Sequence, residues 1–300
     1  MSESSISSNA PGAPIVLHEA LSASGRRWRW VRKHPTLILG LALLLIVAGL
    51  AIAAPWIATH NPININPLQR MKPPSADHYF GTDALGRDVF SRVVWGGRVS
   101  LVVAIVVALI ATAVGVVLGL LAGFVRWADA IIMRIMDGMM AIPDILLAIA
   151  LMAVIRASLT TVIIAIAIPQ VPRVVRLVRS LALTLREQLY VEAAHAVGTR
   201  LPVILRRHVL PNMVTPLVVQ ATFIAATAVL TEAVLSFLGV GVPAQVPSWG
   251  NMMADARNYV AVAFYTILYP GILLAITVLA INLMGDGLRD ALDPRLTNQR

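Results

Sequence analysis

Six stretches of roughly 20 apolar residues, separated by short polar segments, constrain this chain more than any other feature: Thr36–Ala58 and residues 98–125, 133–155, 158–176, 213–238 and 266–288. A bilayer core about 30 Å thick needs about 20 residues of helix to cross it. Lipid offers no partner for backbone N–H and C=O groups, so each such stretch must satisfy its own as a helix. The predicted fold is therefore an all-α polytopic membrane protein with six transmembrane helices. Composition agrees: 58% of residues are hydrophobic, 13% are charged and mean hydropathy is +0.80, where soluble domains carry about 25% charged residues.

Residues 1–35 form a predicted tail rich in Ser, Ala, Gly and Pro, ending in the basic, aromatic run Arg26-Arg27-Trp28-Arg29-Trp30-Val31-Arg32-Lys33. Such a run suits the surface of anionic lipid. The first apolar stretch, 36–58, exceeds a signal peptide's h-region of roughly 7–15 residues, so it is read as a retained helix. Net charge is +9, but the basic residues lie between apolar spans and form no single face, which argues against nucleic acid as a partner. With the N-terminus inside, 17 of the 24 Lys and Arg residues fall on the inner side. The positive-inside rule thus predicts cytoplasmic termini, including the 289–300 tail, a cytoplasmic loop over 177–212, and outer segments over 59–97 and 239–265. Residues 98–288 make up the remaining five-helix core.

The 177–212 loop carries the chain's most distinctive motif. Its residues 186–197 suit a short helix, with Gly198 as a left-handed C-terminal cap. Pro202 suits the first turn of a second helix, and Pro211 is expected to stop or kink it. Glu192 faces local arginines or an arginine of a partner, and Ala193 and Ala194 leave a flat surface. On spacing alone a solvated helical hairpin fits equally well. The pattern Glu192-Ala193-Ala194, three residues, Gly198, nine residues, then His208-Val209-Leu210-Pro211 resembles the EAA loop of ABC importer permeases. The form Arg207-His208-Val209-Leu210-Pro211-Asn212 narrows this to the peptide and nickel subfamily, since the general pattern prefers an aliphatic residue where His208 stands. Two further blocks resemble the same subfamily: Phe80-Gly81-Thr82-Asp83-Ala84-Leu85-Gly86-Arg87-Asp88 with Ser91-Arg92 and Gly97-Arg98-Val99-Ser100-Leu101, and Asn282-Leu283-Met284-Gly285-Asp286-Gly287-Leu288-Arg289-Asp290-Ala291-Leu292-Asp293-Pro294. The nearest resemblance is to the C-type permease subunit of dipeptide and oligopeptide importers.

That resemblance implies a type I importer (MetI-like) transmembrane domain in the bacterial inner membrane. It implies a paralogous permease partner, two ABC ATPase subunits, an extracytoplasmic solute-binding protein, and a short peptide, or alternatively nickel, as substrate. It also assigns ATPase docking to Glu192, Ala193, Ala194, Gly198, Arg206, Arg207, His208, Leu210 and Pro211. ATP and Mg would be bound by the partner ATPases: the only lysines here, Lys33 and Lys72, follow Arg32 and Met71, so no Gly-Lys-Ser/Thr phosphate loop exists.

Other polar residues invite weaker readings. Glu232, with Thr227 and Thr231, is a candidate for lining a translocation path, because intramembrane acids often serve function. The alternative is an interhelical hydrogen bond or a pair with Arg257. Asp137 and Asp144 are read as capping or snorkelling residues, and Asp83, Arg87 and Asp88 as a locally paired structural block. Gly115, Gly119 and Gly123 suit close helix packing. Trp249, Tyr259, Phe264 and Tyr265 suit the outer membrane boundary, on a re-entrant or surface helix. The histidines at 18, 34, 60, 78, 195 and 208 form no HxxxH or HExxH pattern, so no metal site is expected, and no catalytic residues or chain-bound cofactor are assigned. A stand-alone secondary transporter would show inverted repeats and ionisable relays; neither is visible. An intramembrane enzyme would need a metal motif, a cysteine or a Ser/His constellation, and the chain has no cysteine.

Overall fold

The computed structural model describes residues 34–154 and 157–292. The basic run 26–33, Arg156 and the Asp293-Pro294 end of the C-terminal motif lie outside the described residues. The fold is helical. In chain order the elements are α1 (Pro35–Ile57), α2 (Val89–Phe124), α3 (Arg126–Met140), α4 (Asp144–Val154), α5 (Leu159–Arg186), α6 (Leu189–Ala196), α7 (Leu201–Ile204), α8 (Leu210–Phe237), α9 (Trp249–Ala256) and α10 (Tyr265–Leu292). Five helical stretches are long and apolar enough to cross a membrane, and the bent pair α3–α4 makes a sixth if counted as one span.

The pair α3–α4 corrects the sequence reading. The predicted third span, 133–155, is no straight helix: α3 and α4 meet at 92°. Pro143 sits in the break. Its ring disfavours helical geometry at Ile142, and the apolar count took no notice of it. Pro169 and Pro172, by contrast, lie inside α5 without ending it. α2 also begins nine residues earlier than expected, where Asp88 accepts a hydrogen bond from the Ser91 amide and caps it. At 1.5 Å per residue, α2 is about 54 Å long, well beyond a bilayer core.

α5 is the most enclosed of the long helices. Val174, Val178 and Ala182 of α5 press on α2 at Gly115, Gly119 and Gly123, where an added methyl carbon would fall within 3.0 Å of their side chains. The expected role of the glycine stripe is thus internal packing. Val103, Val107 and Ala111 of α2, Val162 and Ile166 of α5, and Ile224, Ala228 and Leu235 of α8 complete the core. α1 lies outside this core and packs on α10, with Gly40 against the backbone of Ala280, Leu283 and Met284, and Gly287 against the backbone of Leu37.

The bent pair is tied to α5 by three ion pairs. Arg173, Arg176 and Arg179 meet Asp144 at 2.7 Å, Asp137 at 2.6 Å and Asp129 at 2.5 Å. Asp137 and Asp144 are therefore rungs of a ladder rather than snorkelling groups. Asp129, the third rung, was not singled out from the sequence.

Residues 187–209 close one end of the bundle, called here the hairpin end. Residues 59–88 and 239–264 fold over the opposite end. There Arg87 bonds Asp83 at 2.6 Å and Asp255 at 2.7 Å, so Asp83 and Arg87 pair locally as expected, whereas Asp88 meets His78 instead, at 2.8 Å. Arg92 lies between the same two carboxylates at 3.8 and 3.7 Å, 1% exposed and without a hydrogen bond. Trp249 is buried, its indole N–H donating to the Val93 carbonyl at 2.9 Å. It is a core residue, not a boundary anchor. Tyr265 donates its hydroxyl to the carbonyl of Lys72 at 2.7 Å, and Phe264 is exposed.

Candidate docking surface and family

The hairpin end is assembled from two short helices on buried pegs. α5 stops at Arg186, and α6 runs from Leu189 to Ala196. At its end the Gly198 amide donates to the His195 carbonyl at 2.9 Å and the Thr199 amide to the Ala194 carbonyl at 3.0 Å. This is a Schellman closure, which needs a left-handed residue, and Gly198 has φ +79°. Pro202 occupies the first turn of α7. Pro211 does not stop the chain: a π-turn over Leu205–Val209 joins α7 to α8, and helix continues through it. The wider turn accommodates the N–H that Pro211 lacks.

Val191, Ile204 and Val209 are buried and join the bundle core, with Ala194 packed partly against it. Opposite these pegs, Leu189 is 81% and Val197 85% exposed. Glu192, Ala193, Arg206, Arg207 and Pro211 are exposed, while His208 and Leu210 are half-buried. The described residues give Glu192, Arg206 and Arg207 no ion pair, so the local arginine partner considered for Glu192 is not there. The two halves of the hairpin are joined by Asn212, which donates to the His208 carbonyl at 2.6 Å and to the Tyr190 hydroxyl at 3.4 Å. Tyr190 and His208 face each other with ring centroids 6.1 Å apart. The result is a mostly basic surface with exposed apolar residues at its edges. Large exposed apolar side chains on a polar element mark surfaces that take a partner. The sequence did not single out Leu189 or Val197, since exposure cannot be read from residue type.

The candidate path residues sit elsewhere. Glu232 is 0% exposed. It accepts from Ser236 at 2.8 Å and from Ser100 of α2 at 3.3 Å. Thr227 and Thr231 spend their hydroxyls on the carbonyls of Phe223 and Thr227, both at 2.9 Å. Arg257 is exposed and does not reach Glu232. In this conformation the acid is a clasp of α2 and α8 rather than a wall of an open path.

The opposite end holds two features that sequence spacing hid. A recess of about 770 Å³ is lined by Pro55, His60, Trp95, Arg98, Leu159 and Gln245, with Arg98 stacked 4.9 Å from the Trp95 ring. Beside it, His60, His78 and Asp88 bring their ligand atoms within 4.8 Å of one another. These are the residues that could hold a metal. They are 18 and 10 positions apart, so no short motif announces them.

Residues 115–298 match the family described as the binding-protein-dependent transport system inner membrane component. The chain belongs to this family. Residues 22–74 match the N-terminal transmembrane domain of oligopeptide transport permease C. A probable peptide ABC transporter permease of Sinorhizobium fredii is 50% identical over 294 residues, covering 98% of both chains. The dipeptide transport system permease DppC of Alkalihalophilus pseudofirmus is 43% identical over 96% of this chain and 95% of its own length. The glutathione transport permease GsiD of Pectobacterium atrosepticum is 40% identical over 94% and 95%. An inward-facing structure of the MetNI methionine ABC transporter shares the fold, with TM-score 0.57 and 22% identity over 67% of this chain and 96% of that one. By its description the family supplies the membrane component of transport systems that depend on a binding protein. The chain is a multi-pass membrane component of an ABC importer, not a catalytic enzyme.

Proposed function

We propose that this chain is one of two permease subunits of an ATP-driven importer of short peptides. It sits in the inner membrane with both termini and the hairpin end in the cytoplasm, and with residues 59–88 and 239–264 on the extracytoplasmic side. A paralogous permease supplies the other wall of the path, a solute-binding protein delivers the peptide, and two ATPase subunits dock on the hairpins. The observation that carries the reading is the 187–212 hairpin, a surface on which Glu192, Arg206 and Arg207 have no ion pair among the described residues, in a chain 50% identical to a probable peptide permease. The peptide class is supported by the relatives' names.

The mechanism follows from linkage. ATP binding closes the ATPase pair and draws the two hairpins together. A ligand shifts a conformational equilibrium only through its different affinity for the two states. The hairpin must therefore hold the ATPase differently in each, and it transmits that difference to α5 and α8, between which it is strung. Mild-detergent purification of the chain from its native membrane, with mass spectrometry of what co-elutes, tests this. A second permease and P-loop ATPases are expected. Recovery of the chain alone, together with transport after reconstitution without ATP, would overturn the proposal.

A further inference from the structure

We propose that His60, His78 and Asp88 form a binding site for a divalent transition-metal cation, zinc first among them. Both imidazoles and the carboxylate converge at the base of the 59–88 segment. The His78 Nδ1 lies 2.8 Å and the His60 Nδ1 4.0 Å from Asp88 Oδ1, and the two rings lie 4.5 Å apart, tilted by 32°. A tetrahedral zinc with ligands near 2.0 Å has ligand-to-ligand edges of about 3.3 Å. The two observed separations bracket that edge, so small side-chain rotations suffice, with a fourth position left for water.

The surroundings are built as the outer shell of a metal site is built. Ligating histidines almost always donate their other ring N–H to an acceptor, which fixes the tautomer. Here His78 Nε2 lies 2.8 Å from Gln69 Oε1, so the Gln69 amide can fix the ring, while Nδ1 is hydrogen-bonded to Asp88 Oδ1 at 2.8 Å and exchanges that contact for the ion. Asp88 keeps Oδ1 toward the histidines while Oδ2 accepts from the Ser91 amide at 2.8 Å and the Thr59 hydroxyl at 3.2 Å. His60 Nδ1 lies 3.1 Å from the Thr59 hydroxyl, a contact it too gives up on binding. The Asp88 side chain is buried, and among the described residues only these two histidines come within 4.0 Å as cationic partners. A divalent ion would neutralise it. Two imidazoles and one carboxylate suit zinc rather than calcium or magnesium, which prefer all-oxygen shells. His60, 45% exposed at its side chain, faces the 770 Å³ recess and provides the way in.

The site would staple the end of α1 to the start of α2. This is independent of which solute the permease moves. The test uses the importer assembly purified through a tag without histidines, stripped with EDTA, then dialysed against zinc chloride and assayed by elemental mass spectrometry. Wild type is expected to hold about one more zinc per chain than His60→Ala, whose exposed ring is removable without disturbing the fold. Gln69→Ala should bind about 10- to 100-fold more weakly. Cobalt should give a tetrahedral ligand-field spectrum in wild type that His60→Ala lacks, and zinc should raise the melting midpoint of wild type alone. Equal zinc in wild type and His60→Ala, with identical cobalt spectra, would overturn the proposal and leave a hydrogen-bonded His–Asp pair.

Discussion

Gly198 isolates backbone geometry from packing. Its φ is +79°, yet a side chain added there would meet nothing within 4 Å. A left-handed conformation costs an L-residue roughly 1–2 kcal/mol, so the penalty of substitution is conformational alone. Gly198→Ala should stay in the membrane at normal level with reduced uptake, and Gly198→Val should abolish uptake of a labelled dipeptide. Immunoblots of the membrane fraction alongside the uptake assay check both, and full uptake by the valine variant would refute a docking role. Glu232 tests the opposite case, a side chain wholly spent on packing. Glu232→Ala leaves the Ser100 and Ser236 hydroxyls without their acceptor, a cost of about 1–3 kcal/mol. Glu232→Gln keeps an acceptor oxygen and should melt close to wild type in detergent. If both variants melt like wild type, the clasp contributes nothing.

At the scale of elements, the α2–α5 seam depends on small residues facing branched ones. Gly119→Leu must displace Val178 and the α5 backbone, while Gly138→Leu on α3 meets open space. Overpacking typically costs 1–3 kcal/mol or more, so the first variant should accumulate poorly in membranes and the second normally. The ion-pair ladder is a softer device. Its side chains are between 27% and 57% exposed, and such pairs contribute roughly 0–1 kcal/mol each. Asp129→Arg should lower the melting midpoint and the swap Asp129→Arg with Arg179→Asp should recover it. The long apolar helices were legible in the sequence because length and apolarity alone define a span. The 92° break was not, since Pro169 and Pro172 sit within an unbroken helix while Pro143 lies in a bend. Packing decides between those outcomes. Gly198 and Pro202 were legible because their backbone demands are local. The Glu232 clasp was not, because Ser100 is 132 residues away, and neither was the His60–His78–Asp88 cluster, which only the folded 59–88 segment assembles.

For the molecule as a whole, the exposed Leu189 and Val197 define where a partner should be found. The chain has no cysteine, so Val197→Cys introduces a unique thiol on this chain. A bifunctional thiol reagent should link it to an ATPase subunit in native membranes, whereas a cysteine at Phe264, at the other end, should not. ATP depletion should stop uptake, and an ionophore should not do so directly. The contact between α1 and α10 carries a consequence for how the protein is made. Of the described helices α1 is the earliest in the chain, and α10, whose backbone meets Gly40, is the latest. At roughly 5–20 residues per second, the interval is on the order of tens of seconds, during which the first helix has α2 to pack on but lacks its α10 partner. Only chains that reach α10 can seal that seam, so a product cut short before it leaves the Gly40 face of α1 open to quality-control proteases.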